Sequence, residues 1–372
     1  MEGGGGRAIP FLTLQASGGL GIEAEAAAFL RSVDAPVCVI AVVGMHRTGK
    51  SYLLNSLLLA QQLERSSCGR EGGREEELEG DRGGERGGTS DRGFQVGKGL
   101  STCTKGVWIY NKVVHLARAD GSTARFIVLD TQGTGGSDGD EQSDVLTWAL
   151  TLLLSSYLIY NSTGSIDEQS IAQLSLVTHV AGLLHARDTV AEFFPSFLWL
   201  LRDFSLELVS PGGEPITEQQ YLDRALQPVD KSMPEAESKN STRKTLRDCF
   251  RHLSCFTMVR PAIDEDILCR LGSADISETR DAFQQQLAAL RAKVLCDCVD
   301  KRIGGVRVGG TGLLALTESF VAAVSGSDGP AASLADAYTD GAKAMTEHAF
   351  KDARAKLQAA TAPLSESLQV SS

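Results

Sequence analysis

Val37-Cys-Val-Ile-Ala-Val-Val-Gly-Met-His-Arg-Thr-Gly-Lys-Ser-Tyr-Leu-Leu54 decides the fold. Val37–Val43 is an almost uninterrupted apolar, β-branched run, the signature of a strand buried on both faces of a parallel sheet. The run breaks at Gly44, and helical spacing resumes at Lys50. Between them stands Gly44-x-x-x-x-Gly49-Lys50-Ser51, a complete P-loop pattern. Its glycines let backbone N–H groups curl around phosphate oxygens, and the helix that follows offers its positive end to the same anion. In such a loop the lysine reaches the β- and γ-phosphates and the serine hydroxyl ligates Mg²⁺. The alternative is a Gly-rich turn that binds nothing. Strand before, helix after and Lys-Ser in register argue against it, so the stretch implies a nucleoside triphosphate site.

Composition narrows the remainder. The chain has 372 residues and a net charge of −11. That length suits one large α/β domain with a small appendage. The acidic balance argues against a broad nucleic-acid footprint. No apolar run is long enough to span a bilayer, and Met-Glu-Gly-Gly-Gly-Gly-Arg at the start does not resemble a signal peptide. The last residues, Leu-Gln-Val-Ser-Ser, offer no prenylatable cysteine. The expectation is a cytoplasmic protein with no transmembrane segment or lipid anchor. The 8 cysteines are scattered through apolar patterns and read as reduced core residues rather than disulfides. On a helix, Cys296 and Cys298 face different directions, which disfavours a metal role.

Working outward from the P-loop, Ile9–Gln15 reads as an edge strand, because Pro10 suits an edge and not a centre. Ile22–Val33 reads as a helix, and the helix after the P-loop is expected to reach about Leu63. Gly69–Arg92 is almost wholly Gly, Glu, Arg and Asp. It cannot bury enough surface to offset its ordering entropy and reads as a disordered insertion. Gly97–Gly106 is a small polar loop leading to a strand over Val107–Ala117. Asp120-Gly121 signals a hairpin turn. Phe126–Leu129 reads as a short buried strand ending at Asp130-Thr-Gln-Gly133. An acidic residue closing a strand, followed by Thr-x-Gly, is where a P-loop protein keeps its Mg²⁺-facing carboxylate and γ-phosphate sensor.

Helices are predicted over Val145–Leu154 and Ile166–Leu184, the second opened by a capping box at Ser165–Glu168. Strands are predicted at Tyr157–Asn161, Ser196–Leu201 and Phe256–Val259. Helices follow over Glu278–Asp300 and Leu313–Val324, and Ala331–Ala360 is Ala/Lys-rich and helical. The alternation indicates an α/β P-loop fold: a mainly parallel sheet with helices on both faces, plus a short C-terminal helical segment. Ligands on such a sheet sit at the carboxyl ends of the strands. Lys50, Thr104, Asp130 and Asp203 all fall at or beside such ends. A carboxylate at Asp203 suits guanine, whose N1–H and exocyclic amine are adjacent donors, whereas adenine presents a lone pair there. A lone Arg-Asp equally suits a structural ion pair, and it is the other three motifs that favour base reading.

Five segments together, Gly44–Ser51, Thr104-Lys-Gly-Val-Trp108, Asp130–Gly133, Tyr160-Asn-Ser162 and Leu201-Arg-Asp-Phe204, resemble the large GTPase domain of guanylate-binding proteins, dynamin-superfamily members related to atlastins. The likeness runs from about Ile9 to Pro330, interrupted by the insertion. It implies a GTPase that uses Mg²⁺ and pairs through its GTPase domain once nucleotide is bound. Arg47 matches an arginine finger acting in cis. Thr104 matches the switch threonine that binds Mg²⁺ and senses the γ-phosphate, and Thr102 matches a serine that helps position the attacking water. Asp203, with Arg202 beside it, matches the guanine reader. The implied catalytic set is Arg47, Lys50, Thr102 and Thr104, with Ser51 and Thr104 on the metal. The implied nucleotide contacts are Gly44, His46, Arg47, Thr48, Gly49, Lys50, Ser51, Tyr52, Asp130, Gly133, Arg202 and Asp203.

Three departures qualify the resemblance. Gln132 stands where guanylate-binding proteins usually have Glu and atlastins have Gln. Thr134 stands where small GTPases place a catalytic glutamine. The family's long helical stalk has only 331–372 to begin it, so residues 1–330 are read as the GTPase domain and 331–372 as the start of a truncated helical domain. The expected activity is hydrolysis of GTP to GDP, and the resemblance allows either GDP alone or GMP as well. A GTP-dependent scaffold with little turnover and an atlastin-like membrane remodeller are the alternatives.

Overall fold

Each residue of β3 (Cys38–Val43) is buried, and alternate side chains enter two separate cores. Val39, Ala41 and Val43 join one cluster; Cys38, Ile40 and Val42 join the other. A strand lined on both faces must lie inside a sheet covered twice, which is why its sequence shows no polar alternation. The computed structural model describes residues 6–15, 19–59, 93–96, 106–133, 141–184, 193–250, 252–272 and 274–325, together with 339 and 343. The insertion at 69–92, Thr102, Thr104, Thr134 and nearly all of the helical reading of 331–360 lie outside the described residues.

The sheet has a parallel centre and an antiparallel flank. In the centre, β6 (Thr123–Thr131), β3, β7 (Tyr157–Thr163), β8 (Ser196–Arg202) and β9 (Leu253–Thr257) run parallel in that spatial order. On the far side of β6 lie β4 (Val107–Tyr110), β1 (Ala8–Leu14) and β2 (Leu20–Ile22), with β5 (Val114–Ala117) also paired to β6, all antiparallel. One face is covered by α1 (Ala24–Arg31), α3 (Glu141–Leu154), α5 (Ser175–Leu184) and α10 (Gly310–Ser325). The other is covered by α2 (Lys50–Leu54), its π-helical continuation Asn55–Leu59, and α9 (Asp281–Asp297).

Several expected elements change bounds or divide. Val107–Ala117 is two strands rather than one, separated at Asn111–Val113. The second strand makes the hairpin predicted at Asp120-Gly121, with Ala117 opposite Thr123. The strand expected over Phe126–Leu129 is longer, because its first half pairs with β5 and its second with β3 and β4. Ile22 ends a short strand, and the helix expected from it begins at Ala24. Ile166–Leu184 is two helices, α4 (Glu168–Ala172) and α5. The capping box lies not at Ser165 but at Asp167, whose carboxylate accepts the Ser170 N–H at 2.7 Å. The last parallel strand starts three residues earlier than expected, at Leu253. Three helices carried no expectation: α6 (Glu218–Ala225), α7 (Ala236–Cys249) and the short α8 (Glu265–Cys269), which lies between β9 and α9. β10 (Arg302–Ile303) and β11 (Val306–Arg307) form a small hairpin turned at Gly304-Gly305.

Candidate functional site

At the carboxyl end of β3 the chain turns over the sheet edge, and the register fixes what surrounds that turn. Val42 sits opposite Asp130 of β6 and Ile159 of β7, and Val43 opposite Tyr160. Gly44 follows with φ 144°, and a Cβ there would lie 2.2 Å from the Asn161 carbonyl oxygen. No side chain fits between the loop and β7, so the first glycine of the pattern is required by close approach as well as by conformation. Asn161 closes the contact from the other side, its amide donating to the Thr48 carbonyl at 2.9 Å. Thr48 donates in turn to the Met45 carbonyl at 2.9 Å. Thr131, beside Asp130, donates to the Val42 carbonyl at 2.7 Å. These bonds hold the loop's shape.

Lys50 is the first residue of α2 and is buried, its Nζ donating to the carbonyls of Met45 at 3.0 Å and Gly44 at 3.3 Å. Burial lowers its pKa, and the charge of Asp130 opposes that shift. Ser51 donates its hydroxyl to the Asp130 carboxylate at 2.5 Å. Gly133 backs directly onto the loop: a Cβ there would sit 2.4 Å from the His46 Cα and 2.7 Å from the Lys50 Nζ. Loop, helix start and the segment after β6 therefore converge on one point. A hydroxyl and a carboxylate are hard oxygen donors, the type Mg²⁺ takes while keeping waters and phosphate oxygens in its other positions. Among the described residues no group of three or more His, Cys, Asp or Glu could hold a metal by itself.

Arg47 is exposed at the crest of the loop, with φ 62°. Asp203, exposed just beyond β8, has φ 56°. Such backbone is rare without glycine and costs on the order of 1–3 kcal/mol where the surroundings impose it. Beside it, Arg202 points inward. Its guanidinium is buried, and Nε and Nη1 have no acceptor among the described residues. Burial lowers its pKa, against the raising effect of Asp203 and Tyr52. It lies 5.8 Å from the centre of the Phe283 ring, which also stacks on Tyr52 at 6.5 Å. Tyr52 is thus turned into the core, where it joins α2, α9 and the end of β8.

The sequence-predicted residues Gly44, His46, Arg47, Thr48, Gly49, Lys50, Ser51, Asp130 and Gly133 form one cluster. Arg202 and Asp203 lie two strands away at the same sheet edge. Thr102 and Thr104 lie outside the described residues. Sequence reasoning missed Asn161, Thr131 and Phe283 as supports of the cluster. A polar residue at the carboxyl end of an apolar strand, as in Tyr160-Asn-Ser162, was the signal available for the first.

Comparison with known proteins adds a family likeness. A family model described as "Guanylate-binding protein, N-terminal domain" matches residues 17–303. Guanylate-binding protein 7 of Homo sapiens is 31% identical over 327 residues, covering 84% of this chain and 46% of that protein. Guanylate-binding protein 2 of Mus musculus is 33% identical over 317 residues, covering 82% and 48%. The chain spans about half the length of the curated relatives it matches. No helix among the described residues is long and apolar enough to cross a membrane.

Proposed function

Because the chain belongs to the guanylate-binding protein family, we propose that it binds GTP with Mg²⁺ at the carboxyl ends of β6, β3 and β8 and hydrolyses it. The observation that carries this reading is the Ser51–Asp130 contact at the start of α2, directly after the glycine-bearing loop. Ser51 and Asp130 would hold Mg²⁺, which when bound would supply neutralisation of charge on the β- and γ-phosphate oxygens. Lys50 exchanges its two loop carbonyls for those oxygens. Backbone N–H groups of Arg47–Ser51 surround the β-phosphate. Asp203 accepts from guanine N1–H and the exocyclic amine, and Arg202 behind it holds the turn.

Hydrolysis is an in-line attack of water on the γ-phosphorus, which breaks its bond to the bridging oxygen and leaves GDP and phosphate. A second round on the β-phosphate would give GMP. Thr102 positions the attacking water, and Thr104 joins the metal. Arg47 stabilises the charge that develops when two GTPase domains pair. Residues 1–330 act as the GTPase domain and 331–372 as the start of the helical domain, in a cytoplasmic protein. A GTP-dependent scaffold with little turnover is the second reading. It is favoured by Gln132, whose side chain is already engaged with the Gly106 N–H at 2.9 Å and carries no charge.

A nucleotide panel with chromatography of the products tests both readings. Mg²⁺-dependent conversion of GTP, and not ATP, to GDP or GMP supports the first; tight GTP binding without product supports the second. Lys50→Ala should weaken a fluorescent GTP analogue by about 10- to 100-fold, since a charge-assisted contact contributes about 1.5–3 kcal/mol. Unchanged affinity in that variant would remove the nucleotide assignment.

A further inference from the structure

Lys301, between α9 and β10, is a buried cation with no carboxylate paired to it among the described residues. Its Nζ donates to the carbonyls of Leu153 and Ser155, each at 2.7 Å, at the carboxyl end of α3. The partial negative charge of that helix end offsets part of the ammonium's charge. Burial nevertheless lowers the pKa to about 7. A protonated amine has three N–H donors, so two carbonyls leave one over. Buried charges are ordinarily paired, and this one lacks its counter-ion.

Space for a counter-ion is adjacent. Lys301 and Ser155 line a cavity of about 300 Å³, at the small end of the range for ligand sites. The cavity lies at the amino ends of the central strands: Ser156 precedes β7, Ser196 opens β8 and His252 precedes β9. The candidate nucleotide site occupies the carboxyl ends, a strand's length or roughly 20 Å away, so the two are separate. Arg302 and His252 stand exposed at the rim. Arg302 donates Nη1 to the Gly305 carbonyl at 3.2 Å, which leaves most of its five N–H groups for another acceptor. The Ser196 hydroxyl and the His252 ring make no hydrogen bond among the described residues. Asp300 is the carboxylate on the lining, and its oxygens are engaged by Arg307 at 3.6 Å and by the Cys38 thiol at 3.8 Å. Phe194, Pro195 and Val299 supply an apolar wall.

We propose that this cavity is a second ligand site, for a small organic anion: Lys301, Arg302 and Ser196 hold a phosphate or carboxylate head, and Phe194, Pro195 and Val299 hold a small apolar body. Both heads offer the same chemistry, negative oxygens that accept from an ammonium, a guanidinium and a hydroxyl. The inference does not depend on the nucleotide reading. If Lys301 served only to cap α3, no anion would settle here.

The test titrates the full chain with phenyl phosphate, benzoate and the neutral benzyl alcohol, and follows the imidazole proton signals of His252 by NMR. Those signals are assigned by their loss in His252→Gln. His252 lies on the cavity, so phosphate held at the P-loop leaves them in place. A saturable shift with phenyl phosphate or benzoate, at a dissociation constant of about 1 mM or below, is expected, and the tighter of the two identifies the head. Benzyl alcohol should produce no saturable shift. Lys301→Met and Arg302→Ala should each weaken the anion by about tenfold or more, the effect of losing one charge-assisted contact. Arg302 is exposed, so its variant carries the decision if Lys301→Met does not fold. No saturable shift with either anion, equal binding of benzyl alcohol, or undiminished anion binding in the folded variants overturns the proposal.

Discussion

Asp203 and Arg47 are the two candidate ligand-facing residues held in left-handed backbone without being glycine. At Asp203 the conformation has a structural origin. The next residue, Phe204, donates its N–H to the Met258 carbonyl at 2.9 Å, turning the chain sharply out of β8. Arg202 is drawn inward to Phe283 as a result, and Asp203 is left at the rim. A carboxylate so placed, in a guanine site, accepts two donors at once. Asp203→Asn keeps the shape but offers one acceptor and one donor, which fits xanthine, where a carbonyl replaces the amine. GTP affinity should fall by an amount set by one or two charge-assisted bonds, about 1.5–3 kcal/mol each, while affinity for xanthosine triphosphate rises relative to it. Competition titrations of the two nucleotides measure the ratio. An unaltered ratio would mean that another residue reads the base.

At the scale of elements, what was legible in the sequence was what is local. The P-loop needs one strand, one loop and one helix start in succession, and its residue types announce each. The strand ending at Asp130 was legible for the same reason. Helix α7 was not, because its sequence Ala-Glu-Ser-Lys-Asn-Ser-Thr-Arg-Lys-Thr-Leu-Arg-Asp-Cys has almost no apolar period. It is held by buried Leu246 and by a buried Arg243 paired to Glu168 of α4, contacts far apart in sequence. Helix α6 did carry a readable signal, the reciprocal Thr217–Gln220 capping box. Another long-range contact makes a testable demand. Lys301 is buried and closes the carboxyl end of α3, donating to the carbonyls of Leu153 and Ser155, each at 2.7 Å. Burial lowers its pKa from 10.5 to about 7. Above that value the folded chain releases this proton, whereas the unfolded chain keeps it to near 10.5, so the unfolded state binds more protons across the window. Stability from this group therefore rises with pH between those limits, by at most about 1.4 kcal/mol per pH unit. The buried thiols of Cys249 and Cys255, pushed to about 11 and about 12, pull the other way above pH 9. The diagnostic is thus the difference between parent and Lys301→Met in denaturant melts from pH 6.5 to 8.5. That difference should grow in the parent's favour as pH rises; parallel curves would show that Lys301 titrates normally.

The whole molecule presents its candidate site at one edge of the sheet, and Arg47 stands on the outer surface of that edge beside Met45, which is 41% exposed. An exposed guanidinium on a phosphate-binding loop adds little in open water, where solvent screens its charge. Its contribution changes if a second copy covers the loop. Water is then excluded, and the planar fork can bear on the γ-phosphate as charge moves toward the leaving oxygen. An arginine finger contributes about 10³–10⁵ in rate in phosphoryl transfer. Two consequences distinguish this from a surface arginine with a modest effect on affinity. Specific activity must rise with protein concentration, because the catalytic group is in place only in the pair. Arg47→Ala must lose most of its turnover while binding GTP within a few-fold of the parent. Arg47→Lys should rescue poorly, since an ammonium cannot reproduce the two-point contact of a guanidinium. Steady-state rates over a hundredfold range of protein concentration, with GTP saturating, decide the matter. Specific activity independent of protein concentration, together with full activity in Arg47→Ala, would rule out pairing as the source of catalysis and leave the GTP site itself untouched.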